Sequence, residues 1–402
     1  MNRIKKLTAI AMSLSLLTLA GCGGAGAAET SQETVSETVT EAATLSEKSF
    51  TALTGENVKK IGRTYSAPDG TLWLGHTDSG IEFTFTGTSA SVTLAGDKNA
   101  PTEWGKDNYA RYAFYVDGER ISDDLMTEAE RTVEICAFDE EKETTVKILK
   151  ISECANSTLG IKSIDVTSTG DIMPTAEKEL KIEFIGDSIT CGYGVDDEVK
   201  EHHFSTATED GTKTYAFKTA EALNADYSMV SFSGHGIVSG YTTQGKAVTE
   251  QRVPEYYAKV GRSYSPTADF SLQDIDWEFT EFTPDVIVIN LGTNDASYTG
   301  GSLELMREYT DGYIDFLGQV REHNPDAYIL CTLGIMGNTL YTDMEAAAIE
   351  YTENTGDDRV GTLLFDVQSA EDGYAADWHP TEATHAKAAE KLTEKIKEIL
   401  GE

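Results

Sequence analysis

The chain has 402 residues, 40% of them hydrophobic, which is enough apolar material for two ordinary cores. Its 68 acidic against 32 basic side chains leave a formal charge of −36, a field that repels phosphate backbones and anionic headgroups and argues against nucleic acid as a partner. A neutral polysaccharide feels no such field, so the composition favours an uncharged substrate.

The N-terminus has the order of an export signal: Arg3, Lys5 and Lys6, then an apolar run from Leu7 to Leu19. That run is shorter than the roughly 20 residues a membrane span needs. It ends in Leu19-Ala20-Gly21-Cys22, which resembles a bacterial lipobox. The resemblance implies that residues 1–21 are a lipoprotein signal peptide and that Cys22 is the lipidated first residue. The protein would then sit at the extracytoplasmic face of a bacterial membrane, touching it through that anchor only. Residues 22–48 are mostly Ala, Thr, Ser and Glu, and read as a disordered acidic tether. Gly21 to Gly26 matches a dinucleotide fingerprint by accident, since no strand precedes it. Cys136, Cys154, Cys191 and Cys331 form no CxxC pair. A zinc site is not expected, and buried free thiols are favoured over a Cys136–Cys154 bridge.

Residues 49–170 read as an all-β sandwich. Apolar residues alternate at Ile81, Phe83 and Phe85, at Val92 and Leu94, at Val133 and Ile135, and at Val146 and Ile148. Asp117-Gly118 supplies a turn after an aromatic run. A linker with Pro174 spans Gly170 to Lys178, and residues 176–402 then alternate strand and helix. Strands are predicted at Lys181 to Ile185, Tyr227 to Phe232, Val286 to Leu291, Tyr328 to Thr332 and Leu363 to Val367. Helices are predicted near Thr214 to Leu223, Leu303 to Arg321, Met344 to Glu353 and Thr381 to Leu400. Near-continuous apolar strands between helices predict a five-stranded parallel sheet covered on both faces, with its ligand site beyond the strands' carboxyl ends.

Polar, small residues follow those strands. The first breaks into Gly186-Asp187-Ser188, the second into Ser233-Gly234-His235, the third into Gly292-Thr293-Asn294-Asp295, and Asp377-Trp378-His379-Pro380 precedes the last helix. Together these blocks resemble the SGNH, or GDSL, hydrolases, whose sheet is flavodoxin-like. The resemblance implies Ser188 as nucleophile, His379 as its base, and an oxyanion hole from the amides of Ser188 and Gly234 with the Asn294 side chain. A neutral hydroxyl needs a base to become nucleophilic, and a tetrahedral oxyanion needs preorganised donors. No cofactor is expected.

Gly62-Arg63-Thr64, Val116-Asp117-Gly118, Lys150-Ile151-Ser152-Glu153 and Pro284-Asp285-Val286, with Asp377-Trp378-His379-Pro380, resemble carbohydrate esterase family 2 over nearly the whole folded chain. That resemblance implies a jelly-roll sandwich joined to an SGNH domain, and an esterase that removes O-acetyl groups from carbohydrate such as hemicellulose. Many SGNH enzymes place an orienting aspartate three residues before the histidine; here that position is Ala376, and Asp377 lies two before. Two arrangements fit: a triad with Asp377, which is the expectation, or a dyad whose histidine is oriented by a backbone carbonyl. Rival readings are an SGNH lipase or thioesterase acting on other acyl esters, and an inactive carbohydrate-binding lipoprotein.

His235 and His385 are rival bases, the latter read as a surface or packing residue of the last helix. His202-His203 with Asp196-Asp197 matches no metal-ligand set, and no metal is expected. Among Trp73, Trp104, Trp277 and Trp378, Trp378 is the candidate for lining a sugar pocket, because it stands between two site residues. Replacing Cys22 with Ala is expected to leave the precursor unlipidated. Whole-protein mass spectrometry checks this, and a wild-type protein that retains Met1 would refute the export reading.

Overall fold

The N-terminal half of the computed structural model, which describes residues 44–401, holds ten strands, the longest of them built on alternating apolar and polar residues. They are β1 (Ser46–Phe50), β2 (Lys59–Ile61), β3 (Thr64–Ser66), β4 (Leu72–Leu74), β5 (Ser79–Gly96), β6 (Arg111–Val116), β7 (Glu119–Leu125), β8 (Glu130–Lys150), β9 (Leu159–Ser168) and β10 (Met173–Pro174). The expected signal peptide, Cys22 and the expected tether through residue 43 lie outside the described residues.

All ten pair antiparallel in one sheet. β5 pairs with β8 for nearly its whole length; its first half also pairs with β2 and β10, its second half with β9. This change of partners falls at a register shift beside Gly87. The sheet thereby wraps one apolar core holding Ile81, Phe83, Val92, Tyr112 and Ile148. The two stretches around Val133 and Val146, read as separate strands, are one 21-residue strand, β8. Strand structure begins at Ser46, before the expected domain start at residue 49. Ser46, Glu47 and Lys48 lack apolar bulk, but they belong to β1 because edge pairing with β9 uses backbone groups, and Phe50 at its end packs on the core.

The C-terminal half contains β11 (Lys181–Gly186), α1 (Ser188–Cys191), α2 (Tyr215–Ala222), β12 (Asp226–Ser231), β13 (Val286–Asn290), α3 (Thr293–Thr299), α4 (Leu303–His323), β14 (Tyr328–Ile335), α5 (Tyr341–Thr355), β15 (Val360–Val367) and α6 (Glu382–Leu400). Its five strands are parallel in the order β12-β11-β13-β14-β15. Successive residues serve opposite faces. Ile185 and Ile289 join α4 in one core, whereas Phe184 and Val288 join α2 and α6 in another. The order reverses between β11 and β13, so the loops that carry Ser188 and Asn294 diverge around the crevice where such sheets bind ligands.

The two halves close on one another along a polar seam, within one folded unit. Lys59–Asp226, Arg63–Glu183, Lys98–Asp269, Arg111–Asp196 and Arg120–Asp210 cross it, and in each the cation belongs to the sandwich. Arg63 is fully buried. It donates to the carbonyls of Tyr257 and Lys259 and to Glu183 Oε2, with its guanidinium 5.1–5.4 Å from the ring centres of Tyr257, Trp277 and Phe279. Removing one partner of such a pair strands the other charge. Arg63→Ala is expected to cost about 3–5 kcal/mol of stability, and Arg63→Lys to recover only part, since an ammonium lacks the planar fork. Urea unfolding of the full chain checks this; equal midpoints for wild type and Arg63→Ala would show that the seam does not depend on Arg63.

Candidate active site

Ser188 is the first residue of α1, directly beyond the carboxyl end of β11. Asp187 caps the helix by accepting the Ile189 amide at 3.0 Å, which fixes the turn that presents the serine. Burial pushes the Asp187 carboxyl up to about 7, against the pull of that amide. Ser188 is only 8% exposed, and its Oγ lies 2.9 Å from Nε2 of His379.

His379 arrives from the other end of the sequence, between β15 and α6, and Thr381 caps α6 by accepting the Thr384 amide. Its Nδ1 lies 3.1 Å from the carbonyl oxygen of Ala376. A carbonyl only accepts, so Nδ1 carries the proton and Nε2 faces Ser188 with a free lone pair. Burial drives the imidazole down to about 4, opposed by the Ala376 carbonyl and the Asp377 charge. The ring is therefore neutral at neutral pH and ready to accept a proton. Tyr193 stacks on it, with centroids 3.8 Å apart.

The Asp377 carboxylate does not orient His379, which corrects the expected triad. Asp377 and Trp378 both adopt left-handed backbone, with φ 47° and 63°. That turn swings the Asp377 side chain outward and aims the Ala376 carbonyl inward. For non-glycine residues it costs of order 1–3 kcal/mol each. Gly194 lets the neighbouring loop press against it, since a Cβ there would lie 2.6 Å from that of Ala376. Asp377 instead accepts from the Tyr193 hydroxyl at 2.6 Å and the Phe204 amide at 3.2 Å, and meets His203 Nδ1 at 2.9 Å. Partial burial raises its carboxyl, but these bonds outweigh that and hold it below the usual range.

Asn294 joins the remaining parts. Its Nδ2 donates to the His235 carbonyl at 2.8 Å and reaches Asp187 Oδ2 at 3.3 Å, so it touches both the residue before Ser188 and the residue after Gly234. The second contact is long, which leaves that hydrogen available to a developing oxyanion. The amides of Ser188 and Gly234 have no acceptor among the described residues. Gly234 has φ 75°, a conformation glycine adopts without strain. The loop that follows is pinned by Asp295, whose Oδ1 accepts the amides of Ile237, Val238 and Ser239 at 2.8–3.1 Å. The sequence marked Asp295 only as part of a block.

The rival bases are packing groups. His235 Nδ1 bonds the Ser233 carbonyl and its ring packs on Phe232, while His385 Nδ1 accepts the Tyr215 amide inside the helical core. Burial lowers both, to about 4 and about 3. His202 and His203 pair with Asp197 and Asp377 at the surface. Trp378 is 49% exposed beside His379, with the Lys200 ammonium 4.1 Å from its ring and Tyr374 against it. Trp73 and Trp277 are core residues. Cys136, Cys154, Cys191 and Cys331 are free thiols. Glu153, Cys191 and Glu209 bring ligand atoms within 4.8 Å of one another beneath the site, a donor set that could hold a cation. Three of those oxygens already accept amide N–H groups, and the buried Lys150 lies alongside. A cavity of about 320 Å³ lined by Lys59, Glu82, Lys147 and Asp226 lies at the amino ends of β11 and β12, away from this edge.

A Ser188/His379 pair can turn over an ester only while the imidazole is neutral. With His379 held near 4, the limb of kcat/KM that reports the base is expected only below pH about 4; Asp187, raised to about 7 beside Asn294, is the site group that titrates between pH 8 and 5. Asp377→Ala should stay within about tenfold of wild type, a barrier change of about 1.4 kcal/mol. A loss of several orders of magnitude in that variant, measured at constant pH, would restore Asp377 as the orienting acid.

Residues 184–387 match the GDSL-like lipase/acylhydrolase family, and residues 60–175 match the carbohydrate esterase 2 N-terminal family. The chain is 31% identical over 343 residues to the cellulase/esterase CelE of Acetivibrio thermocellus, covering 84% of this chain and 39% of CelE. It is 25% identical over 354 residues to an acetylxylan esterase/glucomannan deacetylase of Cellvibrio japonicus, 87% of this chain and 90% of that protein. A family two carbohydrate esterase from Clostridium thermocellum, solved with cellohexaose, superposes with a TM-score of 0.72 at 28% identity over 86% of this chain and 99% of the other. Est2A, an acetyl xylan esterase from Butyrivibrio proteoclasticus, shares the fold with a TM-score of 0.78 at 24% identity, over 89% of this chain and 99% of that one. The chain belongs to the GDSL-like lipase/acylhydrolase family and carries, ahead of that domain, the N-terminal domain of carbohydrate esterase family 2.

Proposed function

We propose that this chain is an extracytoplasmic, lipid-anchored carboxylic ester hydrolase that removes O-acetyl groups from hemicellulosic carbohydrate through an acyl-enzyme. The observation that carries the reading is the 2.9 Å contact between Ser188 Oγ and His379 Nε2 at the mouth of a parallel sheet. The names of the relatives, acetylxylan esterase and glucomannan deacetylase among them, supply the substrate class. The charge of −36 suits a neutral glycan, and Leu19 to Cys22 supply the anchor.

Ser188 Oγ attacks the acetyl carbonyl as His379 Nε2 takes its proton. The imidazolium that forms is stabilised by the Ala376 carbonyl on Nδ1 and, through space, by Asp377. Negative charge gathers on the former carbonyl oxygen, where the amides of Ser188 and Gly234 and the Asn294 side chain can receive it. His379 then gives its proton to the departing sugar hydroxyl. Water, activated by the same nitrogen, releases acetate and restores the serine. Trp378, half exposed beside the base, offers an apolar face on which a sugar ring can stack.

Acetate release from acetylated xylan or glucomannan oligosaccharides is expected for wild type and nearly abolished in Ser188→Ala. On 4-nitrophenyl esters, kcat/KM should decline from acetate to butyrate to octanoate. A preference for octanoate would assign a lipase instead, and a folded wild type that cleaves none of them would be a binding protein.

A further inference from the structure

We propose that Glu153, a sandwich residue between β8 and β9, is a positioning residue for the oxyanion loop of the catalytic half, so that the N-terminal domain completes the active site. The inference rests on the esterase reading above. Glu153 is fully buried, and its Oε2 accepts the Ser233 amide at 2.8 Å across the seam. The same oxygen faces the thiol of Cys191 at 3.9 Å, and Cys191 ends the short helix that Ser188 begins. One carboxylate thus ties the loop that carries Gly234 to the helix that carries the nucleophile.

The consequence for Gly234 follows from peptide geometry. The Ser233 amide is held by Glu153, and the Ser233 carbonyl is held by His235 Nδ1 at 2.9 Å. That carbonyl and the Gly234 N–H share one planar trans peptide and point in opposite directions. Holding Ser233 at both ends therefore sets where the Gly234 N–H points. Asp295 secures the loop from its far side, but it belongs to the catalytic half; Glu153 is the sandwich's contribution.

Glu153 is itself clamped. Its amide donates to Glu209 Oε2 at 2.9 Å, its carbonyl accepts from Lys150 Nζ at 2.8 Å, and its Oε1 accepts from Asn156 at 2.9 Å. Burial raises both carboxyls, opposed on Glu153 by the Ser233 amide and Lys150 and on Glu209 by the Glu153 amide and Lys150.

The test compares Glu153→Ala, Glu153→Asp and Glu153→Gln in the full chain, with kcat and KM for 4-nitrophenyl acetate and the thermal midpoint of each. Gln keeps an acceptor within reach of the Ser233 amide, Asp withdraws it by one methylene, and Ala removes it. The expected result is a kcat lowered roughly 10- to 100-fold in Ala and Asp, a fraction of what one oxyanion donor supplies. KM should stay within about threefold, and Gln should recover most of kcat, because the contact matters only as charge develops. A folded Glu153→Ala enzyme with wild-type kcat would overturn the proposal. Should that variant not fold, Asp against Gln decides, and equal kcat in those two would overturn it as well. A wild type without turnover would sink the esterase reading instead, whatever Glu153 does.

Discussion

Arg63 carries a charge that cannot be neutralised to a place with no exposed surface, so carbonyls, a carboxylate and three aromatic rings must close around it. That requirement fixes the sandwich against β11, the strand that delivers Ser188. Where the seam continues toward the active site, the same logic applies with the signs reversed: Glu153 of the sandwich needs donors, and it finds the Ser233 amide. An acidic protein that concentrates its sandwich cations on an acid-lined seam joins its halves in one register, because any other docking would bury unpaired charge.

The base illustrates a different economy of means. The position three residues before His379 still serves the imidazole, through the Ala376 carbonyl instead of a side chain. A carbonyl fixes the tautomer as a carboxylate would, but brings no full charge, in keeping with an imidazole that burial holds near 4. Asp377, displaced by one residue, braces Tyr193, His203 and Phe204, and Tyr193 in turn supports the histidine ring by stacking. Two left-handed residues in succession are strained, and they persist because Gly194 and the 202–204 loop pack closely around them.

Much of this was legible in the sequence, for local reasons. Period two marked the sandwich strands, and apolar runs between amphipathic stretches marked the five parallel strands within a few residues of their observed ends. The blocks at Ser188, Gly234, Asn294 and His379 could be read because, in order and at strand ends, they resemble those of a known hydrolase family. Gly62-Arg63-Thr64 and Lys150 to Glu153 were visible as motifs of resemblance, yet nothing in their spacing said that they lie on a seam. β1 escaped notice because backbone pairing to β9 leaves no mark in a run of Ser, Glu and Lys.

By itself the sequence determined which residues are chemically able to act, and in which half of the fold each lies, since residue type and periodicity are properties of the chain alone. Only the tertiary structure decided which group orients His379, because the choice between Asp377 and the Ala376 carbonyl turns on two backbone angles that packing imposes. It also decided which acid reaches Ser233, because Glu153 and Ser233 are 80 residues apart and meet only when two domains exclude water between them.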